Sequence, residues 1–148
     1  MVADEIGFLI RNYNIKTIFD DTGTFPIGDW LREFCKILID RDYNKKIDFS
    51  CNARFGSLSL SDYKFMKKAG FRMLLFGLES ANQNTLDKIN KNLTVEKIID
   101  SCKNAKKADL EPHITIMFGY PWETEEDCRK TFQLGKFLLK KGYAHTLQ

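Results

Sequence analysis

The stretch Phe71–Ser80, FRMLLFGLES, decides the fold. Apart from Arg72 its first eight residues are apolar or glycine, and its last two are a carboxylate and a hydroxyl. Such a run reads as a buried parallel strand, covered on both faces, that delivers polar groups at its carboxyl end. Parallel α/β folds assemble their binding and catalytic groups at that end of the sheet.

On either side, helix-like and strand-like segments alternate. Upstream, Ser61–Ala69 reads as a short helix that stops at Gly70, a usual residue just past a helix end. Before it, Lys46–Cys51, KIDFSC, reads as a strand with Asn52, Ala53 and Arg54 at its exit. Asp29–Asp40 places Trp30, Leu31, Phe34, Ile37 and Leu38 on one face of a helix, and Pro26 suits the start of that helix. Ile15–Phe19 is a β-branched strand that stops at Asp20, Asp21, Thr22 and Gly23. Ala3–Tyr13 carries Ile6, Leu9 and Ile10 at helical spacing, with Asp4 and Glu5 at the amino end, where the helix dipole favours them.

Downstream, Asn84–Ile89 gives one or two helical turns, and Thr94 caps a longer helix to Lys107. Glu111–Phe118, EPHITIMF, is a fourth strand. Thr124 and Asp127 resemble a capping box that opens a helix to Lys141, ended by Gly142. Ala144–Gln148 then opens a fifth strand. No tight hairpin signal interrupts this alternation, and its period of about 30 residues suits βα units. The crossover rule makes the sheet parallel with the helices outside.

The expected fold class is therefore α/β: a partial parallel (β/α) TIM-like barrel segment with four full strands and the start of a fifth. No linker composition divides residues 1–148, so one domain is expected. A chain that begins on a helix and ends inside a strand is expected to be the central portion of a larger barrel, truncated at both ends. Its exposed strand edges would then favour self-association or cover by a further segment.

Composition narrows the function. The 148 residues are 43% apolar and 29% charged, with net charge +3 and both signs interspersed. No localised basic stripe points to nucleic acid. No apolar run approaches the roughly 20 residues that span a bilayer, and MVADEIGFLI lacks signal-peptide features, so no membrane partner and a cytoplasmic location are expected. Cys35, Cys51, Cys102 and Cys128 stand far apart, with no CxxC or CxxxCxxC pair, which reads as buried, reduced thiols. His113 and His145 are isolated, and no zinc site is expected.

Four strands in succession end in polar residues: Asp20–Thr22, Asn52–Arg54, Glu79–Ser80 and Gly119–Thr124. In a parallel barrel these ends share one rim and converge on one pocket. Each cluster has an alternative: turn formers at Asp20 and Asp21, a solvated loop at Asn52–Arg54, a helix cap at Glu79–Ser80. Together they suit a polar, zwitterionic or nucleoside ligand, with carboxylates accepting from ammonium or ribose hydroxyls. Lys91 is the cation placed to fold back over the rim, or else an exposed lysine. Gly119 offers exposed backbone against which a flat base could lie. No Ser–His–Asp set or phosphate-cradling glycine loop competes.

These residues resemble the radical S-adenosylmethionine superfamily, in particular the branch with an N-terminal cobalamin-binding domain, the anaerobic Mg-protoporphyrin cyclase-like proteins. The resemblance lies in IFDDTGTF, SCNAR, MKKAGFRMLLFGLESANQNTLDKINKNLT and HITIMFGYPWETEEDCRKT, in that order. It implies a (β/α)6 barrel in which a [4Fe–4S] cluster and S-adenosylmethionine meet at the strand ends, reductive cleavage giving a 5′-deoxyadenosyl radical. It further implies that Asp20, Asp21 and Thr22 meet the methionine amino group and that Asn52 and Arg54 line the next rim position. Glu79 and Ser80 would face the ribose, Lys91 the methionine carboxylate, and Thr115 with Gly119 the adenine. Cobalamin and an unspecified small-molecule substrate are further implied partners.

The departure from the pattern is the CxxxCxxC loop, which is absent from these residues and is expected to precede Met1. Without three spaced thiolates there is no cluster and no radical, so this chain alone is expected to be inactive. The competing reading is a non-catalytic half-barrel that pairs through its sheet edges. Weak S-adenosylmethionine binding that Glu79→Ala abolishes separates the two.

Overall fold

The computed structural model describes residues 2–148. The chain runs α1 (Val2–Tyr13), β1 (Thr17–Asp20), α2 (Asp29–Asp40), β2 (Asp48–Ala53), α3 (Leu60–Lys68), β3 (Phe71–Glu79), α4 (Gln83–Lys88), α5 (Val95–Lys107), β4 (Glu111–Ile116), α6 (Glu125–Lys140) and β5 (Thr146–Leu147). The five strands form one parallel sheet in the order β1-β2-β3-β4-β5. Doubly wound sheets reverse strand order at a switch point, whereas a barrel adds each strand beside the last. Sequential order is thus the barrel arrangement expected from the alternation of elements. Among the described residues no helix is long and apolar enough to cross a membrane.

Strand periodicity builds the core. Along β3, Phe71, Leu74, Phe76 and Leu78 are buried, while Met73, Leu75, Gly77 and Glu79 are partly exposed. The buried set joins Phe49, Cys51 and Ile114 of the neighbouring strands and the inner faces of α2, α3 and α5. Phe25, Phe34, Phe49 and Phe71 meet mostly edge to face, at 4.8–6.4 Å between centroids, an arrangement that adds to plain area burial. Ser59 and Thr124 cap α3 and α6 through reciprocal boxes with Asp62 and Asp127. Hydrogen bonds from the Ser59 hydroxyl to Asp62, and from the Thr124 backbone to Asp127, hold both carboxyls below the usual carboxylate range.

Several boundaries differ from expectation. β2 continues through Asn52 and Ala53, which pair with Leu75 and Phe76; Asn52 is on the strand's less covered face and so disguises the continuation. β4 stops at Ile116, whose partner Glu79 ends β3; beyond it the Met117 N–H reaches back to Glu79 O. α2 starts at Asp29 after Gly28, which holds φ 71, so Pro26 lies in the approach and not at the helix start. A short 3-10 turn at Tyr43–Lys45 was not foreseen. Cys35, Cys51 and Cys102 are buried as expected, but Cys128 is only partly so.

Candidate functional site

At the carboxyl end of β3 the backbone makes an abrupt turn. Glu79 holds φ 63, and the Ser80 N–H donates to Leu78 O at 2.8 Å across it. A positive φ on a non-glycine residue in such a tight turn costs about 1–3 kcal/mol. The Met117 N–H anchors Glu79 O at 3.1 Å, and the β3–β4 register shifts between Gly77 and Glu79. Irregularities of this kind re-aim side chains near functional sites.

The re-aimed carboxylate meets Lys91. Lys91 Nζ lies 2.8 Å from Glu79 Oε1, with the two side chains 32% and 20% exposed, and it also donates to Gly77 O at 3.4 Å. A Cβ on Gly77 would sit 2.5 Å from Glu79 Oε1 and 3.2 Å from Lys91 Nζ. Glycine at this position is what makes room for the pair. The Lys91 backbone is fixed at both ends: its N–H donates to Leu86 O at 3.0 Å, and Arg54 Nη2 donates to its carbonyl at 3.1 Å.

Beside this pair opens a cavity of about 430 Å³. Gly23 and Thr24 line it from the loop after β1, Asn52 and Arg54 from the end of β2, Leu75, Gly77 and Glu79 from β3, and Thr115 from β4. Lys91 and Leu93 close it from the segment after α4, and Phe55 and Ile89 add apolar wall. Four successive strands therefore contribute to one rim cavity. Five of the sequence-selected residues meet there: Asn52, Arg54, Glu79, Lys91 and Thr115.

The other five do not line it. Asp20 accepts from both the N–H and the hydroxyl of Thr22, the local turn-forming arrangement. Asp21 reaches the cavity only through Asn52, whose Nδ2 donates to Asp21 Oδ1 at 3.2 Å. Ser80 is fully buried; its hydroxyl donates to Glu123 Oε1 at 3.1 Å, lies 3.3 Å from Thr131 Oγ1 and accepts from the Asn82 N–H. The turn at Glu79 leaves its carboxylate at the cavity and the Ser80 hydroxyl buried among Glu123, Thr131 and Asn82. Gly119 also lies off the cavity, where its N–H donates to Glu123 Oε2 at 3.2 Å.

Within the polar end Gly119–Thr124, the sequence reading gave no individual role to Tyr120, Trp122 or Glu123. Glu123 gathers the Gly119 and Tyr120 N–H groups, each at 3.2 Å, together with the Ser80 hydroxyl. It thereby ties the loop after β4 to the end of β3. The Tyr120 phenol is pushed up from its ordinary pKa, first by burial and then by the Glu79 and Glu123 carboxylates. It stacks on Trp122 at 5.5 Å. Trp122 Nε1 donates to Thr85 Oγ1 at 3.1 Å, and Lys88 Nζ lies 5.0 Å from the indole centroid. The available signal was an acid placed three residues after an aromatic that follows Gly119.

The thiols do not suit an iron–sulfur cluster. Burial pushes Cys35 and Cys102 up to about 12 and raises Cys51 further, so these groups resist becoming the thiolates that metals require. Among the described residues no three of His, Cys, Asp or Glu are placed to hold a metal ion.

Sequential parallel strands with a polar cavity at their carboxyl ends define a protein of the (β/α)-barrel class, with a site of cofactor size. The chain belongs to the radical SAM superfamily, whose profile matches residues 1–135. It is 31% identical over 137 residues to an uncharacterized methyltransferase of Pyrococcus horikoshii, covering 93% of this chain and 30% of the relative. It is 27% identical over 140 residues to the anaerobic magnesium-protoporphyrin IX monomethyl ester cyclase of Rubrivivax gelatinosus, covering 91% and 24%. Its fold matches a radical S-adenosylmethionine methyltransferase from Kitasatospora setae, solved with cobalamin and a [4Fe-4S] cluster bound. The TM-score is 0.81 at 15% identity, over 93% of this chain and 28% of that one. The chain thus spans less than a third of these relatives.

Proposed function

We propose that the rim cavity binds S-adenosylmethionine and that this chain is the central, cofactor-holding part of a radical SAM enzyme. The observation that carries the reading is the Glu79–Lys91 pair, poised over Gly77 beside a 430 Å³ cavity. Glu79 accepts from the ribose hydroxyls, and Lys91, with Arg54 behind it, meets the methionine carboxylate. Asn52, held by Asp21, stands toward the ammonium end, while Thr115, Leu75 and Leu93 offer the mixed wall a purine needs. When bound next to a reduced cluster, S-adenosylmethionine supplies a 5′-deoxyadenosyl radical.

The cysteines present here do not fit that cluster, so its ligands come from other residues and the isolated chain has no radical activity. Cobalamin, bound in the Kitasatospora structure, has no residues assigned to it here. The test is titration of the chain with S-adenosylhomocysteine, followed by amide shifts in NMR. Saturable shifts at Asn52, Glu79 and Lys91, weakened at least tenfold in Glu79→Gln, are expected; shifts that miss the rim, or equal affinity in the variant, overturn the reading.

A further inference from the structure

We propose that two copies of this chain close on each other about a two-fold axis parallel to the strands, the α6 flank of each seated on the α1–α2 flank of the other. β1 and β5 are the outer strands of a sheet in which every pair is parallel. Rotation about an axis along the strands keeps their direction, so it sets β5 of one copy beside β1 of the other as a further parallel pair. The same contact recurs on the opposite side, and a contact between unlike surfaces that recurs in this way ends at a closed assembly and not a filament. Two such sheets make a ring somewhat wider than the common eight-stranded barrel.

The two flanks differ in shape. On α6 the buried face carries Thr131, Leu134 and Leu138, and Asp127 meets Asn82 on the flank toward α4. Helical spacing carries Phe132, Lys136 and Leu139 to the other flank, where Phe132 is 52% and Leu139 41% exposed. At the far side of the sheet α2 has α3 on one side and α1 on the other. Between α1 and α2 lies a groove of about 290 Å³, lined by Val2, Ala3, Trp30, Glu33, Phe34 and Ile37. Small-molecule pockets start at about 300 Å³, whereas a groove of this size suits a projecting side chain such as Phe132. Trp30 stacks on Phe34 at 5.1 Å and is still 42% exposed, the kind of aromatic anchor that dominates interfaces.

Charge selects the partner. The α6 flank sets a cation, Lys136, between two apolar side chains, and the groove has one anion, Glu33, among apolar walls. Pairing either flank with its own copy opposes like charges, which is costly at an interface. Pairing the two unlike flanks matches lysine with glutamate and apolar surface with apolar surface. A second copy offers both.

The rim cavity is lined from the loop after β1, from β2, β3 and β4, and from residues 89–93, apart from both flanks. S-adenosylhomocysteine binding by a monomeric variant therefore tests the cavity reading separately. Sedimentation velocity of the chain across a dilution series is expected to show a monomer–dimer equilibrium. Glu33→Lys and Lys136→Glu are each expected to weaken it on the order of tenfold, because each sets like charges face to face. The double variant, with the signs exchanged, is expected to regain the wild-type value. Both positions are exposed, and thermal unfolding confirms that each variant is folded. Weakening in both single variants without recovery in the double overturns the contact, as does a dimer that neither substitution weakens. A monomer at every concentration, or an assembly that grows beyond two copies, overturns the closed pair.

Discussion

The two ends of the sheet carry nearly the same ion pair and use it differently. At the carboxyl end Lys91 meets Glu79 at 2.8 Å; at the amino end Arg72 of β3 meets Glu111 of β4, also at 2.8 Å, with side chains 41% and 30% exposed. The amino-end pair joins neighbouring strands, with Asp48 at 3.7 Å from Arg72 and His145 at 3.9 Å from Glu111. Arg72 and Glu111 each have a second polar neighbour, so the cluster braces adjoining strands. At the other end the pair has a strained backbone on one side, a missing Cβ beneath it and open volume beside it. Distance does not distinguish a brace from the proposed binding pair; the surroundings do.

The largest test of that contrast is Gly77→Val. The added side chain collides with Glu79 and Lys91. Overpacking of about 2 kcal/mol corresponds to roughly thirtyfold weaker S-adenosylhomocysteine binding, measurable by calorimetry, with the Arg72–Glu111 brace unaffected. If affinity survives, the pair does not need the space.

Glu79→Gly sharpens the same point in the opposite direction. Glycine accepts the left-handed turn without strain, so chemical denaturation is expected to show a gain of about 1 kcal/mol, while ligand binding is lost. A loss of stability would mean that the ion pair outweighs the strain. Arg72→Met, at the amino end, is expected to cost about 1 kcal/mol or less and to leave ligand affinity unchanged. A binding defect there would abolish the distinction between the two ends.

The smallest effect concerns pH. Asp62 and Asp127 have folded-state pKa values below their ordinary 3.8. They bind protons less well folded than unfolded, so their contribution is complete above about pH 4 and is lost as pH falls through the depressed folded values. Thermal unfolding followed from pH 6 to 2 is expected to show a decline that Asp62→Asn reduces.

Most of the fold was legible because apolar periodicity and caps are local signals. Phe71–Leu78 announced its strand, and Thr94 and Thr124 announced their helices. Asn52 hid two residues of β2, since a polar residue on the less covered face of a strand looks like a loop. The site was legible in part. Glu79 and Lys91 were selected together, although only the fold could bring them to 2.8 Å. Ser80 was grouped with Glu79 by adjacency, and the turn between them sends its hydroxyl into the interior. The role of Glu123 depends on three donors from two segments, which no local pattern encodes.

Trp122 gives the molecule an optical property of its own. Of the two tryptophans, Trp30 stacks on Phe34 at 5.1 Å, in α2, whereas Trp122 belongs to the rim loop, against Tyr120 and under Lys88. A nearby ammonium and a hydrogen-bonded indole N–H make its emission sensitive to small shifts of that loop. With Trp30 replaced by phenylalanine, Trp122 becomes the single tryptophan, and its emission reports on that loop without any added dye.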